Sequence, residues 1–109
     1  ALVGSRPMAS RGLTRVCTLR GHEDRVWFVA WRPCAEPPQL ASCGADRTIR
    51  LWGARAGADL DAEENWAQLS ELATAEKHSR TLRSLAWNPS GDLLAVVSFD
   101  ATVSLWREA

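Results

Sequence analysis

The chain has 109 residues, 46% of them apolar and 24% charged, and its 13 basic and 13 acidic side chains cancel to a formal net charge of zero. This is the composition of a globular chain, and the balanced charge gives no electrostatic reason to expect nucleic acid or an anionic membrane as partner. No apolar stretch approaches the roughly 18 residues that span a bilayer.

In chain order, residues 1–20 hold Arg6, Arg11, Arg15 and Arg20 and no acid. An acid-free start containing Arg and Ser has the character of a transit peptide, but only about 15 residues precede the first strand and such segments run longer. Met8-Ala9-Ser10 makes a natural start, so residues 1–12 are expected to be a disordered extension. Arg15–Leu19 reads as a spare strand. Val26, Phe28 and Ala30 then alternate with Trp27, Val29 and Trp31, the period of a strand, with Phe28 directed inward and Trp27 outward. A turn follows at Pro33, a second strand covers Leu40–Gly44, a tight turn falls at Asp46, and a third strand covers Thr48–Trp52. Gly53–Asn65 carries Asp59, Asp61, Glu63 and Glu64 and reads as a solvated loop, with docking of a basic partner as the alternative. Asp61–Ala75 has weak helical composition, but a fourth strand fits Trp66–Ala73. The pattern then returns: Leu82, Ser84 and Ala86 alternate with Arg83, Leu85 and Trp87, a turn falls at Asn88-Pro89-Ser90-Gly91, and Leu93–Ser98, Asp100 and Thr102–Trp106 follow.

That return is an internal repeat. Residues 21–52 and 77–106 align so that His22 falls on His78, Trp31 on Trp87, Pro33 on Pro89, Leu40 on Leu94, Asp46 on Asp100 and Trp52 on Trp106. The single gap lies inside Cys34–Gln39. One supersecondary unit used twice is the signature of a repeat architecture, because such a unit cannot bury its apolar face alone.

Four short strands, a Gly-His near the start and a Trp closing the third strand resemble a WD40 repeat, the blade of a β-propeller. The resemblance implies an all-β fold: a WD40 propeller fragment over residues 13–109, two blades of four-stranded antiparallel sheet plus a ring-closing strand. Its parts are the spare strand 15–19, blade one at 22–73 and an incomplete blade two at 78–107. A blade takes about 40–45 residues and a ring about four to eight blades, so further blades are expected after Ala109. The resemblance also implies a buried structural network of His, a second-strand Ser or Thr, the turn Asp and the Trp. Blade one supplies His22, Ser42, Asp46 and Trp52. Blade two supplies His78, Asp100 and Trp106 but has Val96 at the hydroxyl position, so its network is expected to lack a link. The family's partner-binding positions on the rim that carries the His loop and the Asp turn map onto Arg25, Trp27, Ala45, Thr81, Arg83 and Phe99, and aromatic and Arg side chains dominate binding hot spots.

No catalytic residue is expected. Each His–Asp pair recurs once per unit beside a Trp, as structural networks do and active sites do not. Cys17, Cys34 and Cys43 are odd in number, show no C-x-x-C spacing and lie on different segments, so neither a disulfide framework nor a metal or cluster site is expected. The strings WFVAWRP, LASCGADRTIRLWG and HSRTLRSLAWNPSGDLLAVVSFDATVSLW are similar to the first two blades of the cytosolic iron–sulfur protein assembly branch of the WD-repeat family. Val96 and Pro37-Pro38 depart from it. The similarity implies a non-catalytic, cytoplasmic and nuclear scaffold of the complex that targets iron–sulfur clusters to apoproteins. Its partners would be the other subunits of that complex, with no cofactor, nucleic acid, membrane or small-molecule substrate. The alternative is an adaptor of another assembly, of ubiquitin-ligase or chromatin type.

Overall fold

The computed structural model describes residues 12–108. Seven strands form two antiparallel sheets. β1 (Val26–Trp31), β2 (Gln39–Gly44), β3 (Thr48–Ala54) and β4 (Trp66–Ala73) lie side by side in that order, and β5 (Leu82–Trp87), β6 (Leu94–Ser98) and β7 (Val103–Trp106) make a three-stranded sheet. The repeat is thus two copies of one meander, the all-β propeller fragment its spacing implies. The second sheet has three strands rather than four. One 3₁₀ turn, Glu63–Asn65, interrupts the acidic loop before β4.

The register explains the shared core. Ala41, Cys43, Ile49 and Leu51 project from one face of the first sheet and meet Leu82, Leu85, Leu94 and Val96 of the second, with Ala30, Leu72, Trp87 and Trp106 around them. These are alternate positions along β2, β3 and β6, as a pleated sheet with one buried face requires, while in β5 a bulge between Leu82 and Ser84 sets Leu82 and Leu85 three apart on one face. β3 is buried along its whole length because it is flanked on both sides within its sheet and covered on both faces. Side chains of the β1–β2 turn also bind the second sheet directly. Arg32 donates from Nε to the Gly91 carbonyl at 2.7 Å and lies 4.7 Å over the Trp87 ring. Cys34 approaches the Pro89 carbonyl at 3.7 Å.

Arg15–Leu19, expected as the spare strand that closes the ring and not as a strand of blade one, pairs with neither described sheet. It lines a cavity with Val29, Trp31 and Leu40, and Arg15 lies 3.5 Å from Glu63. Phe28 is not a core residue but is 38% exposed, because a bulge between Val26 and Phe28 shifts the register and β1 is open along most of its length. The disordered extension expected over residues 1–12 lies, except for Gly12, outside the described residues.

Candidate functional site

The loop that carries each His, the turn that carries each Asp and the start of the third strand meet at one end of each sheet. In the first sheet His22 Nδ1 lies 3.0 Å from Asp46, and its Nε2 lies 2.7 Å from the Ser42 hydroxyl. The Trp52 indole N–H donates to that same hydroxyl at 2.8 Å. The donors therefore run in one direction: Trp52 to Ser42, Ser42 to His22 Nε2, and His22 Nδ1–H to the carboxylate. Thr48, two residues after the Asp, donates its hydroxyl to Asp46 at 2.8 Å, and the Glu23 N–H donates at 3.0 Å. Burial by itself would push the Asp46 carboxyl up. The hydrogen bonds from Glu23, His22 and Thr48 outweigh it and hold the group below its usual range.

The second sheet completes the same arrangement by a different route. Val96 carries no hydroxyl, yet His78 Nε2 lies 2.7 Å from Ser104, and the Trp106 indole donates to Ser104 at 2.6 Å. Ser104 faces Val96 across the β6–β7 ladder, as Arg50 faces Ser42 across β2–β3. Directly opposed residues on antiparallel strands share a face, so a hydroxyl on either reaches the same point. The network expected to lack a link is complete. Thr102 hydrogen-bonds Asp100 as Thr48 does Asp46, and this bond is the leading cause that holds the Asp100 carboxyl well below its usual range, helped by the Ser79 N–H and His78. In the first sheet the position equivalent to Ser104 holds a buried arginine. Arg50 is 3.4 Å from Glu71, 3.7 Å from Asp46 and 3.0 Å from the Gln68 side chain.

Ser42, His22 and Asp46 have the connectivity of a hydrolytic triad, but a nucleophile must be able to reach a substrate. Ser42 is buried and its oxygen is occupied by the Trp52 N–H. Ser104 is engaged by Trp106 in the same way. Both constellations fasten a loop to a sheet.

The rim above these networks gathers the other candidate residues. Trp27 and Arg83 are equivalent positions, and each is the extra residue of a β-bulge, between Val26 and Phe28 and between Leu82 and Ser84. A bulge re-aims the side chain it carries. Arg83 lies 5.3 Å over the Trp27 ring, and Phe99 meets Trp27 edge-on with ring centroids 6.1 Å apart. Trp27 remains 40% and Phe99 54% exposed. The Arg25 carbonyl accepts from Ala45 N–H at 2.8 Å, and the Thr81 carbonyl accepts from Phe99 N–H at 3.0 Å. Ala45, Thr81 and Phe99 also line one cavity between the two sheets, with Arg47, Ser79 and Arg80. The structure thus joins Trp27, Arg83 and Phe99 in one stack and Ala45, Thr81 and Phe99 in one cavity, while Arg25 stands exposed at the edge.

Thr48, Thr102, Ser104, Arg47 and Arg80 join the site without having been candidates for it from sequence. The threonines had a signal, recurring two residues after each Asp. The cysteines lie apart: Cys43 is buried, Cys17 half-buried and Cys34 exposed. Burial pushes the Cys43 thiol up to about 12, with nearby Arg83 opposing and Asp46 adding to the rise. A thiol held protonated is a poor metal ligand, and among the described residues His, Cys, Asp and Glu form no cluster suited to a metal ion.

Comparison with known proteins agrees with this geometry. The WD domain, G-beta repeat family matches residues 13–53 and 69–107. Over 100 residues, 87% of this chain, the sequence is 42% identical to "Protein CIA1" of Arabidopsis thaliana, covering 26% of that protein. It is 45% identical over 94 residues, 86% of this chain, to the "Probable cytosolic iron-sulfur protein assembly protein Ciao1" of Culex quinquefasciatus, covering 25% of it. It is also 39% identical over 93 residues, 84% of this chain, to "Protein transport protein sec13" of Aspergillus oryzae, covering 28% of that protein. The chain spans about a quarter of the length of these relatives.

Proposed function

The chain belongs to the WD40 repeat family, and from that premise we propose that it acts as a non-catalytic interaction scaffold in cytosolic iron–sulfur protein assembly. The observation that carries this is the 42% and 45% identity, over more than four-fifths of the chain, to proteins of which one is named for that process. The internal geometry supports a scaffold: the polar groups that resemble catalytic machinery are spent on holding loops to sheets. The rim keeps aromatic and arginine side chains exposed, the residue types on which protein partners dock. In this reading the partners are subunits of the complex that targets clusters to apoproteins, met in the cytosol and in the nucleus, and Arg25, Trp27, Ala45, Thr81, Arg83 and Phe99 belong to the docking rim. The cluster itself passes through other subunits, because the thiols here are scattered and one is held protonated.

Affinity purification of the full chain from cytosol tests the proposal. Other iron–sulfur assembly subunits are expected in the recovered complex, with a Trp27→Ala/Arg83→Glu variant recovering less of at least one. Truncating an aromatic hot spot costs about 2 kcal/mol or more, and neither residue belongs to the buried networks, so circular dichroism should be unchanged. The purified protein should be colourless and hold less than stoichiometric iron after anaerobic reconstitution. The identity to a protein-transport protein favours a second reading, a scaffold of another assembly. Recovery of transport, ubiquitin-ligase or chromatin subunits in place of iron–sulfur assembly subunits would establish that reading instead.

A further inference from the structure

We propose that the cavity between the two Asp-bearing turns binds an acidic segment of a partner protein, with Arg47 and Arg80 taking carboxylates and Phe99 an adjacent apolar side chain. This deepens the scaffold reading and rests on it. The cavity holds about 420 Å³ and is lined by Ala45, Arg47, Ser79, Arg80, Thr81 and Phe99, so two cations face it and no acid does. Among the described residues neither guanidinium makes an ion pair or a side-chain hydrogen bond. Arg15, Arg32, Arg50 and Arg107 each have a carboxylate within 4 Å.

The main chain that carries the two cations is anchored. The Arg47 carbonyl accepts both the N–H and the hydroxyl of Thr74, at 3.0 and 2.9 Å. The Arg80 carbonyl accepts the Ser98 hydroxyl at 3.0 Å. Arg47 stands in its turn with φ 59° and lines the cavity. Asp46, beside Arg47, and Asp100, in the equivalent turn, are turned inward to His22 and His78, and neither lines the cavity. Glu23, Asp24 and Glu76 stand in the loops at the same end without lining the cavity, and Asp59, Asp61, Glu63 and Glu64 lie in the loop at the other end of β3.

Planar guanidinium forks match carboxylates in bidentate geometry. Phe99, shared between the cavity and the Trp27–Arg83 stack, offers an apolar contact beside them. A nucleic acid would ask for a longer basic track than two arginines beside an aromatic ring.

The test is fluorescence anisotropy of the full chain with a labelled peptide of alternating glutamate and leucine, against the same peptide with glutamine for glutamate. The glutamate peptide should bind, weaken as salt is raised, and outbind the glutamine peptide. Arg47→Gln with Arg80→Gln should weaken it about tenfold or more without altering the thermal melt, and Phe99→Ala should weaken both peptides. Equal binding of the two peptides, an unchanged affinity in the double variant, or tighter binding of labelled single-stranded DNA overturns the proposal. A chain that recovers iron–sulfur assembly subunits yet ignores the glutamate peptide also overturns the cavity and leaves the scaffold standing. One that binds the peptide through Arg47 and Arg80 but recovers none of those subunits supports the cavity and overturns the assignment of the scaffold.

Discussion

A hydroxyl between a buried imidazole and an indole comes from β2 in one sheet, as Ser42, and from β7 in the other, as Ser104. The two sites are interchangeable because residues opposed on an antiparallel ladder project to one point. Ser104→Ala is therefore expected to destabilise the chain by about 1–3 kcal/mol, since it leaves a buried ring nitrogen and an indole N–H without their partner. Adding Val96→Ser should recover a substantial part of that loss. Denaturant melts of the single and double variants measure it, and a double variant no more stable than Ser104→Ala would refute the exchange. With both networks closed, His22→Ala and His78→Ala should cost comparable amounts.

Within and between elements, irregularities do the positioning. The paired bulges in β1 and β5 turn Trp27 and Arg83 to the rim, and the first depends on Gly44, where an added Cβ would lie 2.1 Å from the Arg25 carbonyl. Arg32 at the end of β1 is the strap between sheets. It donates to Gly91 in the β5–β6 turn at 2.7 Å, to Gln39 at 2.9 Å and to Glu108 at 2.8 Å, and it lies over Trp87. Arg32→Ala should cost about 1–3 kcal/mol through lost hydrogen bonds and lost stacking. Arg32→Lys should recover little, since an ammonium cannot reproduce the planar fork. Equal thermal melts for Arg32→Lys and wild type would show that charge alone matters there.

At the scale of the molecule, stability depends on carboxylates that must stay ionised. Asp46 in one sheet and Asp100 in the other both have folded-state pKa values below the usual range. A group depressed on folding stabilises above its unfolded value, about 3.9 for Asp, and that contribution is lost as pH falls through the lower folded values. The melting temperature should thus hold steady through neutrality and fall below about pH 4. Asp46→Asn with Asp100→Asn should melt lower at neutral pH and show a flatter acid limb. An acid limb as steep as that of wild type would place the titration elsewhere.

The sequence by itself determined the repeat, the strand order and the residues that close each unit, because period-2 alternation and turn chemistry are local and were written twice. β4 at Trp66–Ala73 was legible against a weak helical composition, since the repeat left a strand-sized gap there and pairing with β3 decides over propensity. The buried His–Asp–Trp sets were legible too, as recurring polar residues at fixed offsets. What only the tertiary structure decided depends on groups far apart in the chain. Ser104 could replace the missing hydroxyl only once β6 and β7 were in register, and the inward place expected for Phe28 was undone by a bulge that alternation does not announce. Arg15–Leu19 has strand-forming composition but pairs with no described edge, and composition cannot supply the hydrogen bonds that make a strand. Arg47 and Arg80 are 33 positions apart. They face one cavity because two blades pack side by side, and packing of separate units leaves no local trace in either.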